Sequence, residues 1–265
     1  MKYGWRPSLP DFRDDKFKFE ASTEILMAIP KKVDLRDLPF YPEVYNQFGL
    51  GSCTAQMAAA LVQISKIRQG DTKFKPARRF NYYTSGILEG TEKVDCGRYN
   101  RDALKAVNQW GVPDEETWPY IVEEFDREPT KEAFSEAEEN QSIIYRAVQQ
   151  NLAQIRGCLS MGYPVGFGFT VFSNFEGERT SEDGVLDMPD PERDGQRGGH
   201  AVVMVGYDDL MSIRSLSGES GTIGAVLVRN SYGKRFGLEG HFWMPYEYIL
   251  HRGLCADMWM IERME

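Results

Sequence analysis

Histidine is the scarcest titratable side chain in this sequence: only His200, His241 and His251 occur in 265 residues. A mechanism that needs an imidazole therefore has three candidates, each open to test by substitution. Cysteine is nearly as rare. Cys53, Cys96, Cys158 and Cys255 are too few and too scattered for a disulfide scaffold, and no two form the Cys-x-x-Cys pair that serves zinc or redox chemistry. No run approaches the roughly 18 uninterrupted apolar residues of a membrane helix, and the opening MKYGWRPSLPDFRDD holds no apolar segment of signal-peptide length. The expectation is a soluble chain with no visible signal peptide and no membrane partner. Basic residues are outnumbered, 31 Lys and Arg against 40 Asp and Glu, and the formal charge of -9 argues against holding a nucleic acid through a whole-protein field.

What is present is ordinary globular material, 42% apolar and 12% aromatic, in a length suited to one large domain or two packed lobes. The first thirty residues carry Pro7, Pro10 and Pro30 and no sustained period, which reads as an extended arm on the body, or partly loose, and not as a domain. From Ser52 the alanine-rich CTAQMAAALVQISKIRQG reads as a helix packed on several faces, with Ser52 as N-cap and Gly70 as stop. A second helix is expected from Arg101 to Trp110, ending at Gly111, and a third near Glu139 to Gly162. The acidic stretch 114–140 reads as solvated surface. After residue 163 the segments PVGFGFTVF, HAVVMVGY, GAVLVRNSY and GHFWMPY are β-branched and aromatic and separated by turn residues, so strands are expected there. Helices first and a sheet after them predict an α+β chain with two unlike lobes and a cleft between.

Cys53 stands at the expected start of the first helix, six residues after Gln47 in NQFGLGSCT. The positive end of the helix dipole favours a thiolate there, but it supplies at most about 2 kcal/mol, roughly 1.5 pKa units. That moves a thiol from about 8.5 only to about 7, so a thiolate that survives in acid needs a second cation. His200, where two glycines open onto a strand in GGHAVVMVGYDD, is the candidate. Asn230, at the end of another strand in VRNSYG, is placed to orient the imidazole, and the Gln47 amide and the Cys53 N–H are the candidate donors of an oxyanion hole. The acids of 182–196 lack EF-hand spacing and read as a solvated turn.

These residues resemble the papain-like cysteine peptidases: KKVDLRD, Gln47, GSC at 51–53, WGVPDEETWPY at 110–120, GGHAV at 198–202, VGYDD at 205–209 and NSYG at 230–233 follow the family's order, over most of the chain after Pro30. The resemblance implies a papain-like two-lobed α+β fold, with a helical lobe of about 47–142 and a sheet-rich, β-barrel-like lobe of about 143–265. Residues 1–30 would be an N-terminal extension of a peptidase domain at 31–265. It further implies a thiol endopeptidase acting on peptide or protein substrates through a thioester acyl-enzyme, with no cofactor or metal. Cys53 would be nucleophile, His200 acid and base, Asn230 orienter and Gln47 oxyanion donor. Gly97, Tyr99, Gly199 and Ala201 would bind substrate, Tyr99 and Ala201 flanking the pocket for the residue two before the scissile bond. A transferase or amidase using the same site, and a peptide-binding protein without turnover, are the alternatives. The sequence departs from the family in Leu50 for a half-cystine, Thr54 for an aromatic, and Tyr232 and Phe236 for two tryptophans, the first of which covers the Asn–His bond in relatives, so weaker shielding is expected. His200 follows Cys53 by 147 residues and Asn230 follows it by 177, which an extended hairpin over 208–224 would accommodate.

Overall fold

The computed structural model describes residues 2–20, 22–190, 192–215 and 221–265. Its elements in chain order are β1 (Trp5–Arg6), α1 (Thr23–Ala28), β2 (Lys32–Asp34), α2 (Cys53–Arg68), α3 (Arg78–Glu89), β3 (Arg98–Tyr99), α4 (Asn100–Trp110), α5 (Lys131–Ala137), β4 (Ser142–Ala147) and α6 (Leu152–Ser160). There follow β5 (Val165–Phe172), α7 (Glu178–Ser181), β6 (Gln196–Ile213), β7 (Thr222–Arg229), β8 (His241–Pro245), α8 (Tyr246–Leu250) and β9 (Cys255–Met264). The longer helices come before residue 142 and every strand of the main sheet but β2 comes at or after it, as the sequence suggests.

The main sheet has seven strands in the order β4-β9-β5-β6-β7-β8, with β2 paired to β6. It is open: among the described residues no pairing joins β8 to β4, so the barrel-like lobe expected from the family is a curved sheet without closure. Helix α2 lies against this sheet. Ala55, Ala58, Ala59 and Ala60 are at most 2% exposed, so small residues let the helix be enclosed on nearly every side. Gly166 of β5 makes the closest approach possible, because a Cβ there would stand 2.2 Å from the Met57 sulfur of α2. Aliphatic and aromatic side chains of both regions join in one continuous core.

Register then sets the site. In the antiparallel pair β5 and β6, Phe169 lies opposite His200, and in β6 and β7, Val203 lies opposite Arg229. Because β7 ends at Arg229, Asn230 emerges directly beside the strand that carries His200. The long link between them is the expected extended hairpin, paired as far out as Ile213 and Thr222, while its tip at 216–220 lies outside the described residues.

Two sequence readings are corrected. The segment 139–162 is not one helix: Ser142–Ala147 pairs with β9, and the helix starts anew where the Asn151 side chain caps Gln154 N–H. Ile143, Ile144 and Tyr145 prefer the pleated surface, which overrides the helical period. The acidic stretch 114–140 is only partly solvated surface. Trp118, Ala133 and Ala137 are buried, and Glu115 makes a two-pronged ion pair at 2.7 Å with Arg78, whose guanidinium lies between the Tyr45 and Tyr120 rings.

Candidate active site

Cys53 is the first residue of α2 and is wholly buried. Ser52 precedes it at the cap position but makes no cap hydrogen bond, contrary to expectation. Its hydroxyl is spent on the Tyr120 hydroxyl at 2.7 Å and on the Gln56 amide at 3.1 Å. The first-turn N–H groups are thereby left to the sulfur: the backbone N–H of Thr54 and that of Cys53 itself point at the thiol, as do those of Ala201 and Gly4. Ala201 is the residue after His200, so the strand that carries the imidazole reaches the sulfur.

His200 is 0% exposed, and its Nε2 lies 2.8 Å from Asn230 Oδ1. That oxygen also accepts the Ser231 N–H at 2.8 Å, and it is an acceptor only, so the imidazole must donate from Nε2. Nδ1 is left as the basic nitrogen, buried and without a hydrogen-bond partner among the described residues. The expectation of weak shielding is not met. Tyr232 stacks on the imidazole at 5.0 Å and 14°, and Phe169 and Phe175 close on the ring at 5.8 and 5.9 Å. A tyrosine with supporting phenylalanines thus covers the ring as fully as a larger aromatic could.

Gln47 is equally enclosed. Its Oε1 accepts the Ser231 hydroxyl at 2.7 Å, which fixes the amide so that Nε2 faces the cleft. Nε2 donates to Leu50 O at 2.9 Å and to the carbonyl of Lys2 at 3.0 Å. Residues 2–6 of the N-terminal arm therefore occupy the cleft. β1 pairs in parallel with β3, and Arg98 N–H donates to Gly4 O at 2.8 Å. Trp5 packs on Gly168 and donates from its indole to Asp257 at 3.1 Å, Tyr3 donates to Glu176 at 2.6 Å, and Arg6 pairs with Glu89. Beyond the cleft, Phe17 N–H donates to Ala147 O, and Phe19 exchanges hydrogen bonds with the Gln154 side chain. The arm lies on the body.

The four residues expected to bind substrate all meet this arm or the thiol. A Cβ on Gly97, whose φ is +72°, would stand 2.0 Å from Gly4 O, and one on Gly199 would stand 2.4 Å from Trp5 O. Tyr99 carries the Arg6 guanidinium at 4.3 Å, and Ala201 offers its N–H to Cys53. Sequence reasoning missed Ser231, which orients both Gln47 and Asn230 and was open to notice as the neighbour of Asn230. Arg98 stands where the family usually has a second glycine beside Gly97, and its N–H holds the arm. Cys53, Cys96, Cys158 and Cys255 are all unpaired. His241 is buried on β8 against Tyr41 and His251 is exposed. Among the described residues no group of three or more His, Cys, Asp or Glu side chains is placed to hold a metal, and no helix is long and apolar enough to cross a membrane.

Burial under the arm decides the ionisation. It pushes the Cys53 thiol up to about 11, the four N–H groups opposing it only in part. It also pulls His200 down to about 4 against the opposing hydrogen bond from Asn230. In this closed state burial favours the uncharged thiol and the uncharged imidazole over the charged pair expected from sequence.

Comparison with known proteins bears on the whole chain. Xylellain, a cysteine protease from Xylella fastidiosa, superposes with a TM-score of 0.86 at 33% identity, covering 98% of this chain and 95% of its own. The cysteine protease and lectin-like domains of Cwp84, a surface-layer-associated protein of Clostridium difficile, share the fold at a TM-score of 0.75 and 16% identity, over 100% of this chain and 56% of theirs. An uncharacterized peptidase C1-like protein, L477, of Acanthamoeba polyphaga mimivirus is 31% identical over 98% of this chain and 86% of its own length. Residues 29–256 match the family model of the papain family cysteine proteases. With the fold, the order of the motifs and this match in agreement, the chain belongs to the papain family of cysteine proteases and is a papain-like peptidase, a hydrolase of peptide or protein substrates.

Proposed function

We propose that the chain is an endopeptidase held in a latent form, with residues 31–265 as the peptidase unit and residues 1–30 as an extension that closes it. When the arm leaves, water re-enters and the Cys53 proton passes to His200 Nδ1. The resulting thiolate attacks the carbonyl carbon, and the Gln47 amide and the Cys53 N–H hold the oxyanion. The tetrahedral species collapses as the imidazolium gives its proton to the departing amine, leaving a thioester on Cys53. His200 then takes a proton from water, which attacks the thioester and releases the acid and the free thiol. Asn230 holds the ring in its Nε2–H form throughout, and no cofactor enters these steps.

The observation that carries the reading is the grip on the arm: the Lys2 carbonyl sits on the Gln47 amide at 3.0 Å, and Gly4 O accepts the Arg98 N–H at 2.8 Å. A site that holds a peptide this way is built for one. The arm lies backwards and so is held without being cut: the residues after Lys2, and not those before it, lie on Gly97, Tyr99 and Gly199, which would seat the residues before a scissile bond. The test is a peptide-library digest with Gly4→Ala, which weakens the seating of the arm, beside Gly4→Ala with Cys53→Ala. Cleavage together with an acyl-enzyme detectable by mass spectrometry is expected from the first. The second should keep its fold and lose turnover; undiminished cleavage by it would refute the reading.

A further inference from the structure

We propose that Asp95 is a positioning residue for the oxyanion hole, acting on the Gln47 amide through the peptide unit that joins Leu50 to Gly51. The inference deepens the peptidase reading above and rests on it. That peptide unit is held at both ends: Leu50 O accepts from Gln47 Nε2 at 2.9 Å, and the Gly51 N–H donates to Asp95 Oδ1 at 3.1 Å. In a planar trans peptide the carbonyl and the N–H point in opposite directions, so a carboxylate that fixes the N–H also aims the carbonyl at Gln47. The Gln47 amide has two protons to give. Leu50 O takes one and the Ser231 hydroxyl fixes the amide oxygen, so the second proton is turned to the cleft, where an oxyanion would sit.

Asp95 is itself fixed. Its Oδ1 also accepts the Tyr82 hydroxyl at 2.6 Å, and Tyr82 is fully buried on α3, packed with Leu50 and Ala55. The Arg98 guanidinium lies over the Tyr82 ring at 4.3 Å and donates from Nε to the Tyr82 carbonyl at 3.2 Å. One bracket thus ties the loop before Cys53 to α3 and to the strand of Arg98 and Tyr99. No covalent tether does so: Leu50 stands where relatives carry a half-cystine, and all four cysteines are unpaired. Nor does packing confine the loop at Gly49, where a Cβ would meet nothing within 4 Å. The carboxylate charge adds to the effect, because it polarises the 50–51 peptide and makes Leu50 O a stronger acceptor. In the closed form Lys2 pairs with Asp95 through Oδ2 and leaves the contact of Oδ1 with Gly51 in place.

The test is a double-mutant cycle in the full chain carrying Gly4→Ala, with kcat and KM measured on one fluorogenic peptide. Asp95→Ala should lower kcat about tenfold, the scale of one charge-assisted hydrogen bond. KM should stay level or fall, since loss of the Lys2 pair also loosens the arm. In Gln47→Ala, which removes the group acted upon, the same change should cost less than about twofold in kcat. Asp95→Asn, whose amide oxygen still accepts from Gly51 and Tyr82, should recover kcat to within about threefold of the Gly4→Ala chain. Tyr82→Phe keeps the buried ring and takes only the hydroxyl from Oδ1. It should lose about threefold with the same dependence on Gln47, so the comparison stands even where Asp95→Ala does not fold. An unchanged kcat in Asp95→Ala would overturn the proposal, as would a loss of equal size with and without Gln47, or one that Asp95→Asn does not repair. No cleavage by the Gly4→Ala chain itself, with Cys53 left unlabelled by a peptidyl chloromethyl ketone, would instead overturn the peptidase reading and this proposal with it.

Discussion

A single amide oxygen settles the protonation of His200. Asn230 Oδ1 takes N–H groups from Ser231 and from the imidazole, and that leaves Nδ1 as the only nitrogen able to receive the thiol proton. Ser231 acts a second time on Gln47, accepting its backbone N–H at 2.9 Å and donating its hydroxyl to the amide oxygen. One residue therefore sets the direction of the two groups proposed as base and oxyanion donor, which lie far apart in sequence. Gln47→Ala, made in the Gly4→Ala chain, should lower kcat by about 10²–10³ while moving KM much less, because the lost hydrogen bond matters most when the oxygen carries full charge. A change confined to KM would mean that the amide binds substrate without stabilising the transition state. The four residues proposed for these roles were picked out in the sequence by their motifs and order. The protonation state was not, because the neutral couple is a product of burial beneath another segment, and burial cannot be read from Cys53 or His200 locally.

Among the elements, the arm is the one whose sequence said least. The sequence offered no sustained period there and so missed the short strand β1 and the six-residue helix α1, while the anchors in the cleft are single aromatic and charged residues spaced for no helix or strand period. Trp5 fits because Gly168 and Gly199 lack side chains: a Cβ on Gly168 would stand 1.9 Å from the indole. Gly4 fits for the same reason, since a Cβ on it would stand 1.9 Å from the carbonyl oxygen of Gly51, a backbone atom with little freedom to move. Gly4→Ala therefore costs the closed form an overpacking penalty of about 1–3 kcal/mol, a shift of roughly 5- to 150-fold toward the open form. Hydrogen exchange at the amides of residues 4 and 98 should speed up accordingly in Gly4→Ala, and unchanged protection there would show that the arm is not held by this contact. The other missed elements have similar causes. α3 buries charged Arg78 and Arg79 through partners distant in sequence, and β9 is a sheet strand whose pairing with β4 and β5 overrides a weak local signal.

For the whole molecule, the thiol comes from a helix before residue 142 and the imidazole from a strand after it, and the arm lies across both. Closure takes a titratable pair out of water, so it is linked to pH. Closed, the couple holds one proton, on the thiol; open, it holds one, on the imidazole, so closing neither takes up nor releases a proton across the neutral range. In alkali the open couple gives up that proton while the covered thiol holds it to about 11, so closure weakens there. The rings of Tyr3, Phe169, Phe175 and Tyr232 that face the imidazole bring no charge. Glu176 lies behind Tyr3, and its attraction for an imidazolium is set against that of Arg197 for Glu176 itself.

The most direct measurement is the rate of Cys53 alkylation by iodoacetamide from pH 4 to 9, in the full chain, in Gly4→Ala, and in Gly4→Ala with His200→Ala. The full chain should react slowly throughout the neutral range. Gly4→Ala should react fast and remain fast well below neutral, and removing His200 should return it to the profile of an ordinary thiol near 8.5. Three superimposable profiles that all follow an ordinary thiol would contradict both the covered site and the sulfur–imidazole couple beneath it.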